Sequence, residues 1–434
     1  MIPLNIAKAA YCRIYQGAFR AALPVLPYTM PEELGSVLEI PKKLRELGIR
    51  SALLVTDASI RSLGLTASLE EAMEKAGIGC PVYDGALPNP TFSMIEAALK
   101  LYQKGNCGAV IGFGGGSAMD CAKATAARAG CPNRSLKSMS GNLRILHKLP
   151  PIFAVPTTAG TGSETTLAAV ITDDATRHKV PMNDFSLIPK YAVLDPQTTV
   201  GLPKSITATT GIDALTHAVE AYIGRSTTKQ TRAWSIEALR LIFANLERAY
   251  NHGDDLEARR NMLRAAYLAG ASFTRSYVGY CHAVAHSLGG MYNTPHGLAN
   301  AVLLPYVLRA YGKSVYKKLK ELAVAAGLCT SDVPDSVAAE VFIRKIETMN
   351  KHMGIPKQLP GIRWEDIRQL SKFASHEGNP LYPVPRLMDR RSLEQFYVRV
   401  AEDLDVSAKK PAKNPALKPV KEEPTCKQPK STAS

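Results

Sequence analysis

Residues 109–127, AVIGFGGGSAMDCAKATAA, are the stretch from which the fold can be predicted. The apolar run Ala109–Phe113 predicts a buried strand, because it is short, contains β-branched and aromatic residues and is followed by glycines. The glycines at 114–116 and Ser117 predict a tight turn, and the alanine-rich sequence after them predicts a helix to Ala127. A strand, a turn and a helix in this order are typical of a parallel α/β layer.

The same alternation extends on both sides of this stretch and ends near residue 203. Further strands are predicted at Arg50–Val55, Pro81–Asp84, Ile152–Val155 and Tyr191–Asp195, and further helices at Leu69–Ala76 and Phe92–Lys104. After Pro203 the pattern changes to long helical segments, which include Gly211–Ile223, Arg232–Tyr250 and Leu256–Phe273. The sequence therefore predicts an α/β domain followed by an all-α domain. The predicted boundaries are 1–30 for an N-terminal helical extension, 31–203 for the α/β domain, 204–405 for the helical domain and 406–434 for a tail.

Composition excludes several classes of protein. Of the 434 residues, 46% are hydrophobic and 21% are charged, which is ample for large cores and excludes disorder of the whole chain. No run approaches the roughly 18 apolar residues of a spanning helix, so we expect no membrane partner. The eight Cys include no C-x-x-C pair, which argues against a disulfide scaffold or a Cys-only zinc module and favours a reducing compartment, the cytoplasm.

The net charge of +15 raises the question of nucleic-acid binding. Seven Lys and only two Glu lie in residues 407–434, so part of the excess belongs to one Lys- and Pro-rich tail. The rest is spread without a basic run and without aromatic residues interleaved among basic ones. We therefore expect no nucleic-acid partner, because the basic patch that such a protein needs is missing. Since it has few apolar residues, the tail is predicted to be disordered.

The first 31 residues contain no acid, and Lys8, Arg13 and Arg20 lie among apolar residues at rough helical spacing. This composition partly fits an organelle transit peptide. Such peptides are Ser-rich, however, and no Ser precedes Ser36, so organelle targeting is the less favoured alternative. We expect instead an amphipathic helix that packs on the first domain and ends at the prolines near residue 27.

The glycine turn at 112–117 is a candidate phosphate site. Glycines let the backbone approach a phosphate, and the free N–H groups at the start of the next helix favour an anion. The turn departs from the standard dinucleotide fingerprint, because Ser117 stands where Gly or Ala is expected, and a tight turn alone would also explain the glycines. The segment 156–164, PTTAGTGSE, places hydroxyl groups after another strand, which suits a phosphate or ribose contact. Asp57 closes a strand, where a carboxylate can bind a ribose diol or cap the next helix.

The helical half contains five residues that suit a metal site. Asp213 and His217 lie four residues apart on one predicted helix and so share a face. His282 and His286 repeat this spacing on another helix, and His296 follows in the turn-like sequence NTPHG. Imidazoles with one carboxylate suit Fe(II) or Zn(II), with one position open for substrate. A lone His on an apolar face is usually structural, but two such pairs and a fifth residue favour a metal site.

Together these motifs resemble those of the iron-containing (group III) alcohol dehydrogenases. The matching sequences are GGGSxxDxxK at 114–123, PTTAGTGSE at 156–164, DALTH at 213–217, and HAVAH at 282–286 followed by NTPHG at 293–297. The resemblance runs from about Tyr28 to Glu402, with the motifs in the family's order and spacing. It implies the dehydroquinate synthase-like fold of that family: an N-terminal parallel-sheet dinucleotide-binding domain, then a C-terminal helical metal-binding domain, with the metal in the cleft between them.

Carried over position by position, the resemblance implies roles for named residues. The implied ligands of Fe²⁺, or of Zn²⁺ in its place, are Asp213, His217, His282 and His296. His286 matches a residue that lines the substrate site without binding the metal, and we expect it to be catalytic as a general acid or base. The implied NAD positions are Asp57, Asn89, Gly115, Gly116, Ser117, Thr157, Thr158 and Lys179.

The implied reaction is reversible hydride transfer between a primary or secondary alcohol and NAD, which forms an aldehyde or ketone. The resemblance also implies a small-molecule alcohol or aldehyde substrate and a homo-oligomer, a dimer. Two alternatives stay open. One is a dehydroquinate synthase-like lyase, which also uses NAD and a metal but should aim several Lys and Arg at a phosphate-bearing substrate. The other is a non-catalytic homologue that binds a nucleotide or a metal.

Two departures from the family pattern lie near the implied substrate pocket. The sequence FTRSY at 273–277 stands where many members have FSNAG, and Ser287 stands where Pro is frequent. The identity of the substrate therefore does not follow from the resemblance.

Overall fold

The computed structural model describes residues 6–175 and 178–404. The strands in these residues are β1 (Glu32–Leu34), β2 (Ala52–Val55), β3 (Val82–Tyr83), β4 (Ala109–Gly114), β5 (Gly141–Asn142), β6 (Ile152–Pro156), β7 (Ala168–Thr172), β8 (Lys179–Asn183) and β9 (Tyr191–Val193). One six-stranded sheet has the order β1-β9-β6-β4-β2-β3, and all of its strand pairs are parallel. A second sheet has the order β5-β8-β7.

Helices accompany the first sheet and then make up the rest of the described chain. Before residue 203 they are α1 (Ile6–Ala22), α2 (Ile40–Glu46), α3 (Ala58–Ser62), α4 (Ala67–Lys75), α5 (Phe92–Lys104), α6 (Gly116–Gly130) and α7 (Leu136–Met139). After it they are α8 (Lys204–Ile223), α9 (Lys229–Asn251), α10 (Leu256–Ser276), α11 (Tyr280–Tyr292), α12 (His296–Tyr311), α13 (Tyr316–Ala325), α14 (Asp335–His352), α15 (Ile367–Gly378) and α16 (Arg390–Val400). The predicted fold class, a parallel α/β layer followed by helices, is confirmed.

The central strands of the large sheet are apolar because both of its faces are covered. Val110 on β4 packs with Leu53 in the core on one face, whereas Ile111 packs with Leu54 in the core on the other. Strands buried on both faces need continuous apolar sequence, which is the pattern that Ala109–Phe113 shows.

The small sheet is a feature that the sequence pattern did not predict. Strands β7 and β8 form an antiparallel hairpin whose buried side chains include Ile171 and Met182. The N–H group of Thr172 donates to the carbonyl oxygen of Pro90 at 2.8 Å, so the hairpin is joined to the loop before α5.

The N-terminal helix α1 packs on the helical region, so the expectation that it packs on the first domain is wrong. Gln16 is buried, and its Nε2 donates to the carbonyl oxygens of Pro380 at 3.1 Å and Tyr382 at 2.8 Å. Arg13 donates to the carbonyl oxygen of Val384 at 2.8 Å. Local spacing predicts a helix here. The surface on which it packs includes Tyr382, 366 positions after Gln16, and no local sequence pattern indicates a contact over that separation.

Other predictions about the ends and boundaries of the chain have separate outcomes. Among the helices that the structure describes, none is both long enough and apolar enough to cross a membrane. The predicted tail at 406–434 lies outside the described residues. The domain boundary near residue 203 stays a prediction, and α8 begins at Lys204.

A close approach of two glycines joins α10 to the loop after β6. Gly162 has a φ of +62°, and a Cβ added at Gly270 would lie 2.6 Å from the carbonyl oxygen of Gly162 and 2.3 Å from Thr165 Oγ1. The substitution Gly270→Ala should therefore force α10 to shift, and we expect it to lower the free energy of unfolding by about 1–3 kcal/mol. The midpoint of denaturant unfolding measures this change.

Gly290→Ala in α11 is the matched control for this prediction. A Cβ at Gly290 meets no atom within 4 Å, so the same substitution should be neutral or stabilise by about 0.5–1 kcal/mol. If Gly270→Ala and the native chain have equal denaturation midpoints, α10 and the loop after β6 can move apart without loss of stability.

Candidate active site

Three loops meet at the carboxyl edge of the large sheet. They follow β2, β4 and β6, and they contain Asp57, the glycine turn and Thr157. The strand register pairs Val55 with Gly112. The N–H group of Thr157 donates to the carbonyl oxygen of Gly114 at 3.1 Å, which joins the second loop to the third. Nucleotides bind at this edge in open parallel sheets.

The glycine turn leaves space against the start of α6. Gly114 has a φ of +153°, and a Cβ there would lie 2.7 Å from that of Ala118, so the turn requires glycine. The nearest atom to a Cβ on Gly115 would be Thr158 Oγ1, at 3.9 Å. The first N–H groups of α6 have no partner within the helix and can bind an anion. The turn and the loop beside it contain five of the predicted NAD positions, Gly115, Gly116, Ser117, Thr157 and Thr158.

Asp57 caps α3 and has a second oxygen on the side of the glycine turn. Its Oδ1 accepts a hydrogen bond from the N–H group of Ile60 at 2.9 Å. Its Oδ2 lies 3.9 Å from the place where a Cβ on Gly114 would be. Capping and ribose binding, the two roles considered for Asp57, are therefore compatible.

Asn89 and Lys179 lie on two segments that contact each other. Asn89 has a left-handed φ of 60° in the loop before α5, next to Pro90. Thr172, which donates to Pro90, pairs with Lys179 across the hairpin. The ammonium group of Lys179 is one of the charges that act on the pKa of His286. The loop that contains Asn89 and the strand that contains Lys179 are therefore joined through Thr172.

A buried lysine holds the loop after β6 from inside. Lys123 on α6 is fully buried, and its Nζ donates to the carbonyl oxygens of Ser163 at 2.7 Å, Thr166 at 2.9 Å and Ala168 at 2.9 Å. Burial lowers the pKa of Lys123 to about 8. Lys123 belongs to the motif at 114–123, but its partners lie 40 to 45 positions later, so the motif alone does not identify its function.

Glu164 in the same loop is a buried carboxyl group whose Oε1 has no hydrogen-bond partner among the described residues. Burial raises the pKa of Glu164 from 4.5 to about 7. Protonated Glu164 therefore stabilises the folded state. This stabilisation is fully present below pH 4.5 and is lost as the pH rises through about 7. We expect the thermal midpoint of Glu164→Gln to rise relative to that of the native chain between about pH 5 and pH 8, because Gln does not ionise.

Glu74→Gln, at an exposed position on α4, controls for the loss of one negative charge. Thermal scans of the three proteins at both pH values measure the effect. A difference between Glu164→Gln and the native chain that stays constant with pH would contradict this account of the loop.

Four predicted metal ligands come together in the helical region. Asp213 and His217 lie on α8, His282 lies on α11 and His296 begins α12, and one ligand atom of each lies within 4.8 Å of those of the others. Asp213 Oδ1 is 3.4 Å from His296 Nε2 and 3.8 Å from His282 Nε2. His282 and His296, from two other helices, therefore complete the pair that one face of α8 provides.

This cluster fits a divalent metal ion by its donor atoms and by the unsatisfied Nε2 of His282. His282 Nε2 is buried and has no hydrogen-bond partner in the part of the chain that is described, which is costly unless a ligand binds it. Burial lowers the pKa of His217, lowers that of His282 strongly and lowers that of His296 to about 4. The imidazoles are therefore neutral near pH 7, as metal ligands must be.

Glu220, one turn after His217 on α8, orients His282. Its Oε2 is 2.7 Å from His282 Nδ1, and its carboxylate accepts from the N–H groups of Gly279 at 2.7 Å and Cys281 at 2.8 Å. With Nδ1 donating to Glu220, His282 directs Nε2 into the cluster, which is the carboxylate–histidine–metal arrangement. Burial raises the pKa of Glu220 to about 7, and these N–H groups oppose the shift.

His286 lies beside the cluster and outside it. Its ring stacks on that of His296, with centroids 5.0 Å apart. Its Nδ1 is 2.5 Å from Glu377 Oε1, and the same oxygen accepts from the hydroxyl of Tyr382 at 2.5 Å. Burial disfavours the protonated ring, but the Glu377 carboxylate outweighs burial and raises the pKa of His286. With Nδ1 engaged, Nε2 is the nitrogen left for a substrate.

Sequence reasoning missed several residues of this site. Glu220 lies three positions after His217, and Asn300, whose Nδ2 donates to Asp213 Oδ1 at 2.7 Å, lies four positions after His296. Helical spacing could have identified both. Glu377 is 91 positions from His286, and no sequence spacing connects them.

The two departures from the family pattern have partners in different parts of the chain. The hydroxyl of Ser287 donates to the carbonyl oxygen of Val284 at 2.7 Å and lies 2.6 Å from that of Tyr397. Arg275 donates to the carbonyl oxygen of Leu23, just after α1, at 3.2 Å.

Two family descriptions together match nearly the whole of the described chain. The family "Iron-containing alcohol dehydrogenase" matches residues 29–196, and the family "Fe-containing alcohol dehydrogenase family, C-terminal" matches residues 207–400. NAD-dependent methanol dehydrogenase from Bacillus methanolicus is 36% identical over 342 residues, which cover 78% of this chain and 90% of that protein. 1,3-Propanediol dehydrogenase from Citrobacter freundii is 37% identical over 362 residues, which cover 82% of this chain and 93% of that protein.

Solved structures give the same result. A 1,3-propanediol oxidoreductase superposes with a TM-score of 0.82 at 34% identity, over 86% of this chain and 99% of its own. Sulfoacetaldehyde reductase from Bifidobacterium kashiwanohense, solved in complex with NAD⁺, superposes with a TM-score of 0.77 at 28% identity, over 87% of this chain and 98% of its own.

Proposed function

The chain belongs to the iron-containing alcohol dehydrogenase family, and from this membership we propose how its site oxidises an alcohol. The protein is an NAD-dependent oxidoreductase that acts on CH–OH groups and converts a primary or secondary alcohol reversibly to an aldehyde or ketone. The observation that carries the proposal is the cluster of one carboxylate and three imidazoles, with His286 beside it.

The domain division follows from the same proposal. Residues 31–203 bind the dinucleotide and residues 204–405 hold the metal, after an N-terminal extension of residues 1–30. The two family matches, 29–196 and 207–400, support this division.

Four side chains would hold Fe²⁺, and the same set also accepts Zn²⁺: Asp213, His217, His282 and His296. A metal bound there would supply a Lewis acid for the alcohol, and bound NAD⁺ would supply the hydride acceptor. Hydrogen bonds orient two of these ligands, because Asn300 holds the carboxylate of Asp213 and Glu220 holds the ring of His282.

The remaining residues bind the cofactor and move the proton. The N–H groups at the glycine turn would bind the pyrophosphate of NAD, and Asp57 would accept hydrogen bonds from the ribose hydroxyls. Oxidation releases one proton from the alcohol oxygen, and His286 Nε2 accepts it while Glu377 stabilises the resulting imidazolium.

A substrate panel tests this function. Protein purified without oxygen and loaded with Fe²⁺ or Zn²⁺ should form NADH, followed at 340 nm, with several primary or secondary alcohols. A dehydroquinate synthase-like lyase would show no net NADH formation, and a non-catalytic homologue would bind NADH without turnover. A lyase of that kind should aim Lys and Arg at a phosphate-bearing substrate, whereas Arg248 and Arg264 in the helical region pair with carboxylates of this chain, Asp255 and Glu33.

Assembly and location are further parts of the proposal. We propose a homodimer that works in the cytoplasm. The described cysteines, which are all free thiols, suit a reducing compartment. Light scattering of the purified protein and fractionation of cells test the two statements separately.

Asp57 should make the enzyme prefer NAD(H) to NADP(H), because a 2′-phosphate would lie beside its carboxylate. We expect Asp57→Gly to narrow the ratio of kcat/KM for the two cofactors by about tenfold, a change of about 1.4 kcal/mol. Asp84→Gly is the control, since its exposed carboxylate pairs with Arg61. Equal kcat/KM values for NAD and NADP in the native enzyme would refute this role of Asp57.

A further inference from the structure

Helix α1 lies before the segments that match the family, yet it is joined to the helical region by buried polar contacts. Gln16 is only 4% exposed, and its Nε2 donates to two carbonyl oxygens of the segment 380–385. Arg13 donates to two more, those of Val384 at 2.8 Å and Pro385 at 3.1 Å, and also to Gln16 Oε1 at 2.7 Å. Because hydrogen bonds are directional, these four fix the position of the segment 380–385 relative to α1 more closely than apolar packing would.

A second set of contacts joins the end of α1 to the segment FTRSY that departs from the family pattern. The ring of Phe19 meets that of Tyr277 edge to face, with centroids 4.7 Å apart. Arg275 donates to the carbonyl oxygen of Leu23 at 3.2 Å. Tyr277 is in turn 6.1 Å from the ring of Tyr382. The unusual residues at 273–277 are therefore the ones that receive the additional helix.

The segment bound by α1 reaches His286 through two side chains. Tyr382 belongs to this segment, and its hydroxyl donates to Glu377 Oε1 at 2.5 Å. The same oxygen is 2.5 Å from His286 Nδ1. A shift of the 380–385 backbone would move the hydroxyl of Tyr382 away from Glu377, and the carboxylate would then be free to turn away from the imidazole.

We propose that α1 is an internal brace that positions His286 for proton transfer, through the segment 380–385, Tyr382 and Glu377. This inference rests on the proposed function, in which His286 carries the proton. Gln16, Tyr382 and Glu377 are positioning residues, because they act on the ring of His286 from the side opposite to its free nitrogen. Misplacing a catalytic group by about 1 Å can lower the reaction rate as much as a hundredfold. Loss of the contacts between α1 and the segment 380–385 can therefore lower kcat through a small shift of His286.

Two substitutions test the brace at separate links. Gln16→Leu removes the hydrogen bonds to the carbonyl oxygens of Pro380 and Tyr382, and Tyr382→Phe removes only the hydroxyl that binds Glu377. Each should lower kcat by on the order of tenfold, while metal content and the KM for NAD⁺ stay unchanged. Ile14→Ala is the control on the same helix, because Ile14 is 72% exposed; it should keep the native kcat.

The same substitutions in the background of His286→Ala separate positioning from general damage. If α1 acts through His286, Gln16→Leu and Tyr382→Phe should cause no further loss of kcat once the imidazole is absent. Native kcat in both single variants, an equal loss in the His286→Ala background, or a loss of metal would each overturn the brace. If His286→Ala itself keeps the native kcat, the proton-carrier role in the proposed function fails first. If His286→Ala loses rate but the other two do not, only the brace fails.

Discussion

Replacing any one of Asp213, His217, His282 and His296 with Ala is expected to remove metal and activity together. Each provides one atom of a cluster whose members lie within 4.8 Å of one another, and three of the four are buried. Loss of one ligand leaves the remaining buried donors without full coordination, so metal occupancy should fall to background. Metal analysis and kcat are measured on the same preparation, and His252→Ala, at an exposed position, is the control.

His286→Ala should behave differently. The ring of His286 lies beside the cluster and stacks on that of His296, and its Nδ1 pairs with Glu377. We expect near-native metal content and NADH binding, with kcat lower by roughly 10²–10⁴-fold, the usual range for loss of a general acid or base. If His286→Ala loses metal as completely as His282→Ala does, the division of roles is wrong and His286 is a ligand.

Glu220→Gln should weaken metal binding without touching a ligand. The carboxylate accepts from His282 Nδ1 and from two backbone N–H groups, and an amide of the same size cannot accept from all three. Loss of such a partner typically costs 10–100-fold in metal affinity, because the ligating ring is no longer held in one tautomer and orientation. Titration with Zn²⁺ against a competing chelator measures this affinity.

The control for Glu220→Gln is the same substitution at Glu237, whose side chain is exposed and only distantly paired with Arg264. Saturating metal should restore most of the kcat of Glu220→Gln, since the four ligands remain. An unchanged metal affinity would show that Glu220 is a structural acceptor for the N–H groups of Gly279 and Cys281, with no effect on the ring of His282.

Local pattern predicted most of the fold. The helix Phe92–Lys104 occurs with the predicted bounds, and the predicted strand Ala109–Phe113 extends one residue further, to Gly114. The hairpin of β7 and β8 escaped prediction, because its strands are only partly buried and their sequences, AAVIT and KVPMN, show no clear alternation of apolar and polar residues. Helix α1 was predicted as a helix but on the wrong surface.

The candidate site divides in the same way. The spacing of Asp213 and His217 showed that they share a helix face, and the resemblance to a family then suggested which histidines bind metal. Spacing alone cannot separate His282 from His286, since both lie on the same face of α11. The difference between them comes from Glu220 on α8 and Glu377 on α15, which hold the two rings from different sides.

Sequence was sufficient for features that depend on neighbours within about four residues, namely the periodicity of helices and strands, the glycine turn and the i,i+4 pairs. Such features are local because backbone hydrogen bonds and steric limits act over one turn or one strand. The tertiary structure alone decided the partners of these features: which carboxylate orients which imidazole, which loop Lys123 holds, and which surface receives α1. These choices depend on contacts between residues 40 to 366 positions apart, whose energy exists only when the whole chain is packed.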